Sequence, residues 1–340
     1  MKIENKFSLN PHTKFLVVGV KIKKIEDSID RAINFLYQNQ LPWGEFKTLV
    51  SWNFRMLGSS FDSSPFATAL ALYCLKDIKN EKARIMTEKA IGFLLDEQEK
   101  GGIWRFWTKR NKKRIPPDLD DISTISFILK MNGVNFDDNL QLILNNRNKD
   151  NLFLTWIVKE GELDNLPWFL RKEWFLNDVD WVVNTNILLY LDQNDAQVCS
   201  FVNEAVKSNK FRSLYYPSRL AFFYMISRAF KNNITSLGEN RDIIIQSTLN
   251  EQKRNGSFDN SLETALALNT LFNFNYDGKE IDFGINFLLQ RQSINGFWKR
   301  EVLFLGVFPY RHYGSEELTT ALCLESLKNY QQMLKNGKNI

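Results

Sequence analysis

The chain has 340 residues, of which 44% are hydrophobic and 14% aromatic, so it is long enough to bury a large core in one to three domains. Its net charge of +5, from 44 basic and 39 acidic residues, is too mild and too evenly spread for a nucleic-acid-binding surface, although it is compatible with an anionic small substrate. The two His and three Cys argue against His-based catalysis, a His-rich metal site and a disulfide framework.

The apolar runs of the chain are short. The longest of them, such as residues 15–20, cannot span a bilayer, and the N-terminus carries no apolar stretch of signal-peptide length. We therefore expect a cytoplasmic protein, with peripheral contact to a membrane surface as the alternative.

Four segments share one pattern, in which an amphipathic helix is followed by Gln-x3-Gly-x-aromatic. The four copies are Gln40–Phe46, Gln98–Trp104, Gln252–Phe258 and Gln292–Trp298. Glycine suits the positive φ at which a helix ends, and the aromatic side chain can then fold back on its neighbours. Four copies of one spacing indicate an internal repeat, in which we interpret the aromatic residues as packing elements.

A second, more uniformly apolar helix follows each copy and carries a Thr near its start. These residues are Thr68, Thr124, Thr264 and Thr320. The first two and the last two are each 56 residues apart, and the 140 residues between the pairs leave room for two more units. Apolar helices are predicted to start near residues 64, 119, 181, 217, 261 and 316. Amphipathic partners are predicted at 25–39, 82–97, 138–148, 195–208, 240–251 and 280–291.

Six alternating helix pairs predict an all-α fold, an (α/α)6 barrel of six inner and six outer helices. No strand alternation competes with it. We predict a single barrel domain over residues 25–330, an N-terminal extension at 1–24 and a C-terminal tail at 331–340. The Trp-rich stretch at 149–180 is either an extra helix packed on the barrel or a hydrophobic flap over its mouth.

Three carboxylates fall within four residues at Asp118-Leu119-Asp120-Asp121, where the second inner helix begins. Like charges this close resist ionising together, so at least one should keep its proton at neutral pH and become a candidate general acid. The alternative is an acidic helix cap, since helix starts favour Asp. A cap needs only one carboxylate, so the cluster of three favours the acid.

These two features together resemble a known family. The Gln-x3-Gly-x-Trp repeats are similar to the QW motifs of the squalene–hopene cyclase and prenyltransferase superfamily, and Asp118-Leu119-Asp120-Asp121 is similar to the Asp-x-Asp-Asp acid of class II terpene cyclases. The resemblance extends from about residue 25 to 330. It implies that Asp120 protonates a terminal alkene or epoxide, while Asp118 and Asp121 hold its proton in place. Aromatic faces would stabilise the resulting carbocation.

The chain also departs from that family. Class II cyclases generally have a second barrel, whereas this chain has the length of one, so either the cavity lies within a single barrel or a partner completes it. There is no Asp-Asp-x-x-Asp motif for diphosphate ionisation and no Asp-x-Cys pattern for a prenyltransferase zinc site, so we predict no metal ligands. Mg2+ is expected only as a companion of a diphosphate substrate, and otherwise no cofactor.

Further residues near the predicted mouth are candidate substrate contacts. Aromatic candidates are Phe66, Trp181, Tyr216 and Tyr313. Asn184 is the polar candidate. It forms a group with Asp178, Asp180 and Asn186, and this group either caps the third inner helix or contacts the substrate or the acid. Basic candidates for a diphosphate are Lys113, Arg114, Arg219 and Arg311.

The sequence therefore predicts a class II terpene cyclase, an enzyme of isomerase or lyase type in isoprenoid biosynthesis. Its predicted substrate is a linear prenyl diphosphate (farnesyl or geranylgeranyl) that keeps its diphosphate. Alternatives are cyclisation of a neutral chain, such as squalene or a prenylated aromatic, a non-catalytic barrel that binds an isoprenoid or a protein partner, and a carbohydrate-active (α/α)6 enzyme. The expected partner is an isoprenoid and not a nucleic acid, and a homodimer or second-domain partner stays open.

Overall fold

In the computed structural model the structure is described for residues 11–113, 115–158, 161, 168–306 and 311–337, without the side chains of residues 11–18 and 169. The α-helices of this part are α1 (Pro11–Asn39), α2 (Pro65–Leu75), α3 (Glu81–Asp96), α4 (Leu119–Met131), α5 (Leu140–Asn145), α6 (Glu173–Leu176), α7 (Trp181–Leu191), α8 (Ala196–Lys207), α9 (Arg219–Lys231), α10 (Arg241–Asn250), α11 (Ser261–Asn273), α12 (Glu280–Arg291) and α13 (Glu316–Lys335).

Six of these helices form a closed inner ring. In the order α2, α4, α7, α9, α11 and α13, each contacts the next, and α13 returns to contact α2. The helices α1, α3, α5, α8, α10 and α12 precede the inner ones along the chain and form the outer layer. This confirms the predicted (α/α)6 barrel. The predicted domain limits at 25 and 330 both fall inside helices, since α1 begins at Pro11 and α13 ends at Lys335.

The inner helices are apolar almost all round because they are enclosed on every side. Every residue of α2 is buried, and in α11 the run from Thr264 to Asn273 is buried as well. The outer helices bury one face only; α3, for example, buries Ala83, Met86, Ala90 and the Phe93-Leu94 pair.

The Gln-x3-Gly-x-aromatic repeat fastens neighbouring outer helices together. Gln292 Nε2 donates to the carbonyl of Gly296 within its own turn and to that of Ser28 on α1, each at 2.9 Å. Gln40 and Gln252 make the equivalent pair of bonds in their own copies. The second copy departs from this pattern and carries Gly101 and Gly102 in its turn.

The recurring Thr residues join this turn to the inner ring. Thr320 Oγ1 accepts a hydrogen bond from the backbone N–H of Trp298 at 3.1 Å, and Thr264 and Thr68 accept in the same way from Phe258 and Phe46. The four repeat aromatics, Phe46, Trp104, Phe258 and Trp298, are buried, in agreement with their predicted packing role.

Gly296 offers a test of the repeat turn. Its φ is +91°, and a Cβ at this position would lie 2.2 Å from the carbonyl oxygen of Arg31. We expect Gly296→Ala to lower the free energy of unfolding by about 3 kcal/mol, because a left-handed backbone and a backbone clash add up. The matched control is Gly92→Ala, since Gly92 is an exposed position on α3 with no atom within 4 Å of the added Cβ. That change should stabilise the chain by about 0.5–1 kcal/mol. Equal effects of both substitutions in urea unfolding would contradict this role of the turn.

A small antiparallel sheet lies at one end of the barrel. Its strands are β1 (Leu49–Ser51), β2 (Ser60–Phe61), β3 (Phe304–Leu305) and β4 (His312–Gly314), in the order β2-β1-β4-β3. The sequence did not predict it, because strands of two or three residues are too short to show alternation. The sheet joins the loop before α2 to the loop before α13 and so closes the ring at the mouth.

Candidate active site

A cavity opens at the end of the barrel where the inner helices begin. Its wall is formed by Phe66, Phe106, Trp107, Ile115, Asp118, Asp120, Asp121, Thr155, Trp156, Val183, Tyr215, Tyr216, Phe304, Leu305, Gly306 and Tyr313. The described part of the wall thus combines aromatic side chains with three carboxyls and contains no Lys, Arg or His. The predicted wall residues Phe66, Tyr216 and Tyr313 lie here, together with the three Asp.

The acidic cluster sits at the first turn of α4. Asp118 is the N-cap of this helix, and its Oδ1 accepts the backbone N–H of Asp121 at 2.8 Å. Asp118 therefore caps the helix, and Asp120 is left to line the cavity. The helix N-terminus also favours negative charge at this position.

Two donors hold the carboxyl of Asp120. Asn186 Nδ2 donates to Oδ1 at 2.6 Å, and the hydroxyl of Tyr216 donates to Oδ2 at 2.5 Å. Arg228, which is fully buried on α9, donates from Nη2 to Oδ1 of Asn186 at 2.7 Å. Because Arg has donors only, the oxygen of Asn186 must face it, and the amide nitrogen is thereby turned toward Asp120.

Burial makes all three carboxyls weak acids. It raises the pKa of Asp118 to about 7, and the negative charge of Asp120 adds to this shift. Burial also raises the pKa of Asp121 well above its usual range, to which the charges of Asp118 and Asp120 contribute. Burial raises the pKa of Asp120 as well, while the bonds from Tyr216 and Asn186 and the charge of Arg228 act to lower it. The cluster retains protons near neutral pH, and Asp120 is the member whose anion is best stabilised.

The raised pKa of Asp118 makes stability depend on pH. A carboxyl with a pKa of about 7 in the folded chain and an ordinary pKa of 3.8 binds its proton more tightly in the folded chain, so its contribution to stability is full below about pH 4 and is lost as the pH rises through 7. We expect Asp118→Asn, which keeps the cap, to reduce the fall in Tm between pH 5 and pH 8. The control for the removal of a charge is Asp96→Asn, at an exposed position on α3. An unchanged pH dependence in Asp118→Asn would contradict the shift.

A second buried carboxylate, Asp62, holds the aromatic wall. Its Oδ2 accepts hydrogen bonds from Nε1 of Trp107 and from the hydroxyl of Tyr313, each at 3.1 Å. Its Oδ1 accepts from Asn111 at 2.6 Å and from Lys113 at 3.1 Å. Lys113, a predicted diphosphate ligand, is therefore neutralised by an internal partner close to the mouth.

The stretch at 149–180 contributes to the wall as well. Trp156 stacks on Phe175 of α6 with ring centroids 4.5 Å apart, and its Nε1 donates to the hydroxyl of Tyr215 at 2.9 Å. Tyr215 in turn donates to Asp178 at 2.9 Å. The described part of this stretch contains the short helix α6 and also covers one side of the cavity, so both interpretations offered above describe part of it.

Several predicted contacts lie elsewhere. Trp181 stacks on Phe201 of α8 and does not line the cavity. Asn184 bonds to the backbone of Phe153, whereas Asn186 reaches the acid, because positions two residues apart on a helix point about 200° apart. Asn186 and not Asn184 is therefore the polar contact.

The remaining basic candidates are engaged or lie outside the described residues. Arg219 pairs with Glu251 at 2.5 Å, away from the cavity. Arg311 lies 3.8 Å above the ring of Trp52. Arg114 lies outside the described residues. The structure thus assembles the predicted acid and three predicted aromatics, but it does not bring the described basic candidates into the cavity wall.

Sequence reasoning missed Arg228 and Asp62. The signal for Arg228 was available, since a cation in the middle of the apolar run 220–230 of an inner helix must find a partner inside the ring. Asp62 gave no such signal, because it lies in a loop where a carboxylate is usual.

The cavity does not fit a Mg2+ site. No group of three or more His, Cys, Asp or Glu side chains within the described residues is arranged to hold a metal ion. The carboxyls of the acidic cluster retain protons, whereas a hard cation needs ionised oxygen ligands. No step is therefore assigned to a metal.

The (α/α)6 barrel is similar to the fold of solved class II terpene cyclases. The type II terpene cyclase MstE from Scytonema, in complex with the substrate geranylgeranyl dihydroxybenzoate, superposes with a TM-score of 0.72 at 13% identity, over 92% of this chain and 99% of that one. A protein from Actinoplanes gives a TM-score of 0.72 at 14% identity, over 90% and 99% of the two chains.

The ent-copalyl diphosphate synthase from Streptomyces platensis gives a TM-score of 0.56 at 15% identity, over 78% of this chain and 50% of its own. No protein-family model matches the chain, and no curated protein sequence matches it significantly. The fold is therefore shared with enzymes whose sequences have diverged almost completely. MstE is matched over nearly its full length, whereas the ent-copalyl diphosphate synthase is matched over half of its own.

Proposed function

We propose that the chain is a class II terpene cyclase that starts cyclisation of an isoprenoid chain by protonating it from Asp120. The observation that carries this proposal is the buried Asp120 carboxyl with a raised pKa, which faces an aromatic cavity and has two fixed donors for its anion. A carboxyl that keeps its proton near neutral pH can protonate an alkene only in a dry cavity that also stabilises the carboxylate left behind.

The donors decide where the proton resides. Oδ1 of Asp120 accepts from the amide of Asn186, whose orientation Arg228 fixes, whereas Oδ2 faces the hydroxyl of Tyr216, whose proton can rotate away, so the acidic proton belongs on Oδ2. The π electrons of a terminal alkene take this proton, a C–H bond forms, and Asp120 is left as a carboxylate to which Asn186 and Tyr216 donate. The carbocation then adds to internal double bonds beside aromatic faces and loses a proton at the end, so the net change is an isomerisation.

The wall favours a substrate whose end group is not a diphosphate. Its described residues offer three carboxyls and no cation, and two described basic residues near the mouth are paired, Lys113 with Asp62 and Arg110 with Glu97. A diphosphate would have to displace these partners. The complex of MstE with geranylgeranyl dihydroxybenzoate supports a prenylated aromatic as the substrate class.

The cavity must widen to admit such a chain. Its volume is about 60 Å3, which is room for about four or five water molecules. Most of its wall comes from loops and the small sheet, and the inner helices contribute Phe66, Val183 and the three Asp. We therefore propose that the substrate enters by moving the loop side of the wall while the ring stays fixed.

A carbohydrate-active barrel is the weaker alternative. A GH105-like protein from Klebsiella pneumoniae has a TM-score of 0.52 at 10% identity. Glycoside hydrolysis needs two carboxylates on opposite sides of a polar cleft. The carboxyls of the described cavity wall all lie within residues 118–121.

The test is an incubation of the purified chain with squalene, a geranylgeranylated dihydroxybenzoate, and farnesyl and geranylgeranyl diphosphate. Products are compared before and after phosphatase treatment. A cyclised product of unchanged mass is expected from a chain that carries no diphosphate. Cyclised diphosphates alone would overturn the substrate class but keep the cyclase, and no cyclised product from any chain would overturn the cyclase.

A further inference from the structure

The loop between β1 and β2 exposes an unusual number of large apolar side chains. Trp52, Phe54 and Leu57 are 62%, 59% and 62% exposed, and Phe61 on β2 is 44% exposed. Soluble surfaces rarely present four such side chains within ten residues, and clusters of this kind mark contact sites. We propose that this hairpin, residues 49–61, docks the barrel on the surface of a lipid bilayer.

Hydrogen bonds within the loop hold its backbone, so the exposure of its apolar side chains is a property of the fold. Asn53 Oδ1 accepts the backbone N–H groups of Arg55 and Leu57 at 3.1 and 3.2 Å, and Ser51 Oγ donates to the carbonyl of Leu57 at 2.8 Å. Met56 is buried at a φ of 55° and anchors the loop from below. Its polar groups therefore bond inward, and the apolar side chains are left on the outside.

The charge of this surface suits a membrane. Residues 46–61 contain Lys47 and Arg55 and no acidic residue, and Lys47 pairs with Glu317 at 3.5 Å. Arg55 is exposed at the tip, and among the described residues it forms no ion pair with a carboxylate. Arg311 lies over the ring of Trp52 at 3.8 Å and adds a further cation. Aromatic side chains beside cations are the composition of segments that lie in the headgroup region of a bilayer.

The hairpin is continuous with the cavity. β1 pairs with β4, which places Val50 opposite Tyr313 of the cavity wall. Phe54 packs on His312 with ring centroids 4.2 Å apart. The choice of a bilayer as the partner of this surface rests in part on the isoprenoid substrate proposed above. An isoprenoid chain dissolved in the bilayer could reach the mouth of the cavity without crossing water. Vesicle binding is measured without substrate, so its outcome is independent of turnover.

The experiment is flotation of the full chain with vesicles of phosphatidylcholine, with and without phosphatidylglycerol. The chain should float, and more so with phosphatidylglycerol. The triple variant Trp52→Ser/Phe54→Ser/Leu57→Ser should bind at least about tenfold more weakly. Arg55→Glu should abolish the preference for phosphatidylglycerol.

The matched control is a second triple variant at exposed apolar residues of the outer layer, Ile243→Ser/Phe283→Ser/Ile294→Ser. It should float like the unmodified chain. Failure of the unmodified chain to float, or equal loss in both triple variants, would overturn the proposal. So would light scattering that shows a dimer which only the hairpin variant converts to a monomer, since the hairpin would then be an interface between two copies.

Discussion

Asp120→Asn should reduce kcat by about a thousandfold or more while the chain stays folded. The amide has the same shape as the carboxyl and can keep hydrogen bonds to Tyr216 and Asn186, but it has no proton acidic enough to give to an alkene. Removing a positioned general acid typically costs factors of a hundred to ten thousand, on the order of 10^2–10^4. Here the proton starts the whole series of cyclisation steps, so we expect a loss of kcat in the upper part of that range. The measurement is turnover, with product analysis, of the substrate that the incubation described above identifies.

The matched control for this prediction is Asp62→Asn. Asp62 is also a buried carboxylate beside the cavity, but it holds Trp107, Tyr313 and Lys113 and does not line the wall. Its substitution should change substrate affinity more than kcat, because it loosens the aromatic wall and leaves the acid intact. If Asp120→Asn retained most of its activity, or lost no more than Asp62→Asn, the acid assignment would be wrong.

Asn186→Leu should lower kcat by about ten- to a hundredfold. A hydrogen bond to a charged group contributes about 1.5–3 kcal/mol. The bond from Asn186 reaches this strength only when Asp120 has given up its proton and become a carboxylate. The substitution also removes the described partner of Arg228 Nη2, so a lower Tm is expected too. Activity and Tm are measured on the same samples, so that the two losses are separated.

Asn184→Leu is the natural comparison, because it removes a second buried Asn from the same helix. Asn184 bonds to the backbone of Phe153 and to the carbonyl of Asp180 and has no contact with Asp120. This variant should lose stability but keep the kcat of its folded fraction. If both variants lost kcat in proportion to Tm, Asn186 would have only a structural role.

The barrel could be predicted from the sequence because the patterns that specify it are local and repeated. A glycine between a Gln and an aromatic residue is visible in the chain at every copy, and so is the Thr that follows, which receives the aromatic N–H in three of the four copies. The crowding of Asp118, Asp120 and Asp121 is equally local, because residues this close along the chain must be close in space. The raised pKa values of this cluster follow from burial at the start of an inner helix, which the repeat already located.

The sequence by itself therefore determined the helical barrel, its six-fold repeat and the position of the acid. Only the tertiary structure decided what surrounds the acid. Asn186, Tyr216 and Arg228 lie between 66 and 108 residues away along the chain; Asn186 and Tyr216 donate to the Asp120 carboxyl, and Arg228 holds Asn186. It also decided that Lys113 and Arg219 are paired elsewhere and that Trp181 packs outward. The physical reason is that the direction of a side chain around a helix axis, and the partner of a charge across a loop, depend on contacts between distant segments, which spacing along the chain does not encode.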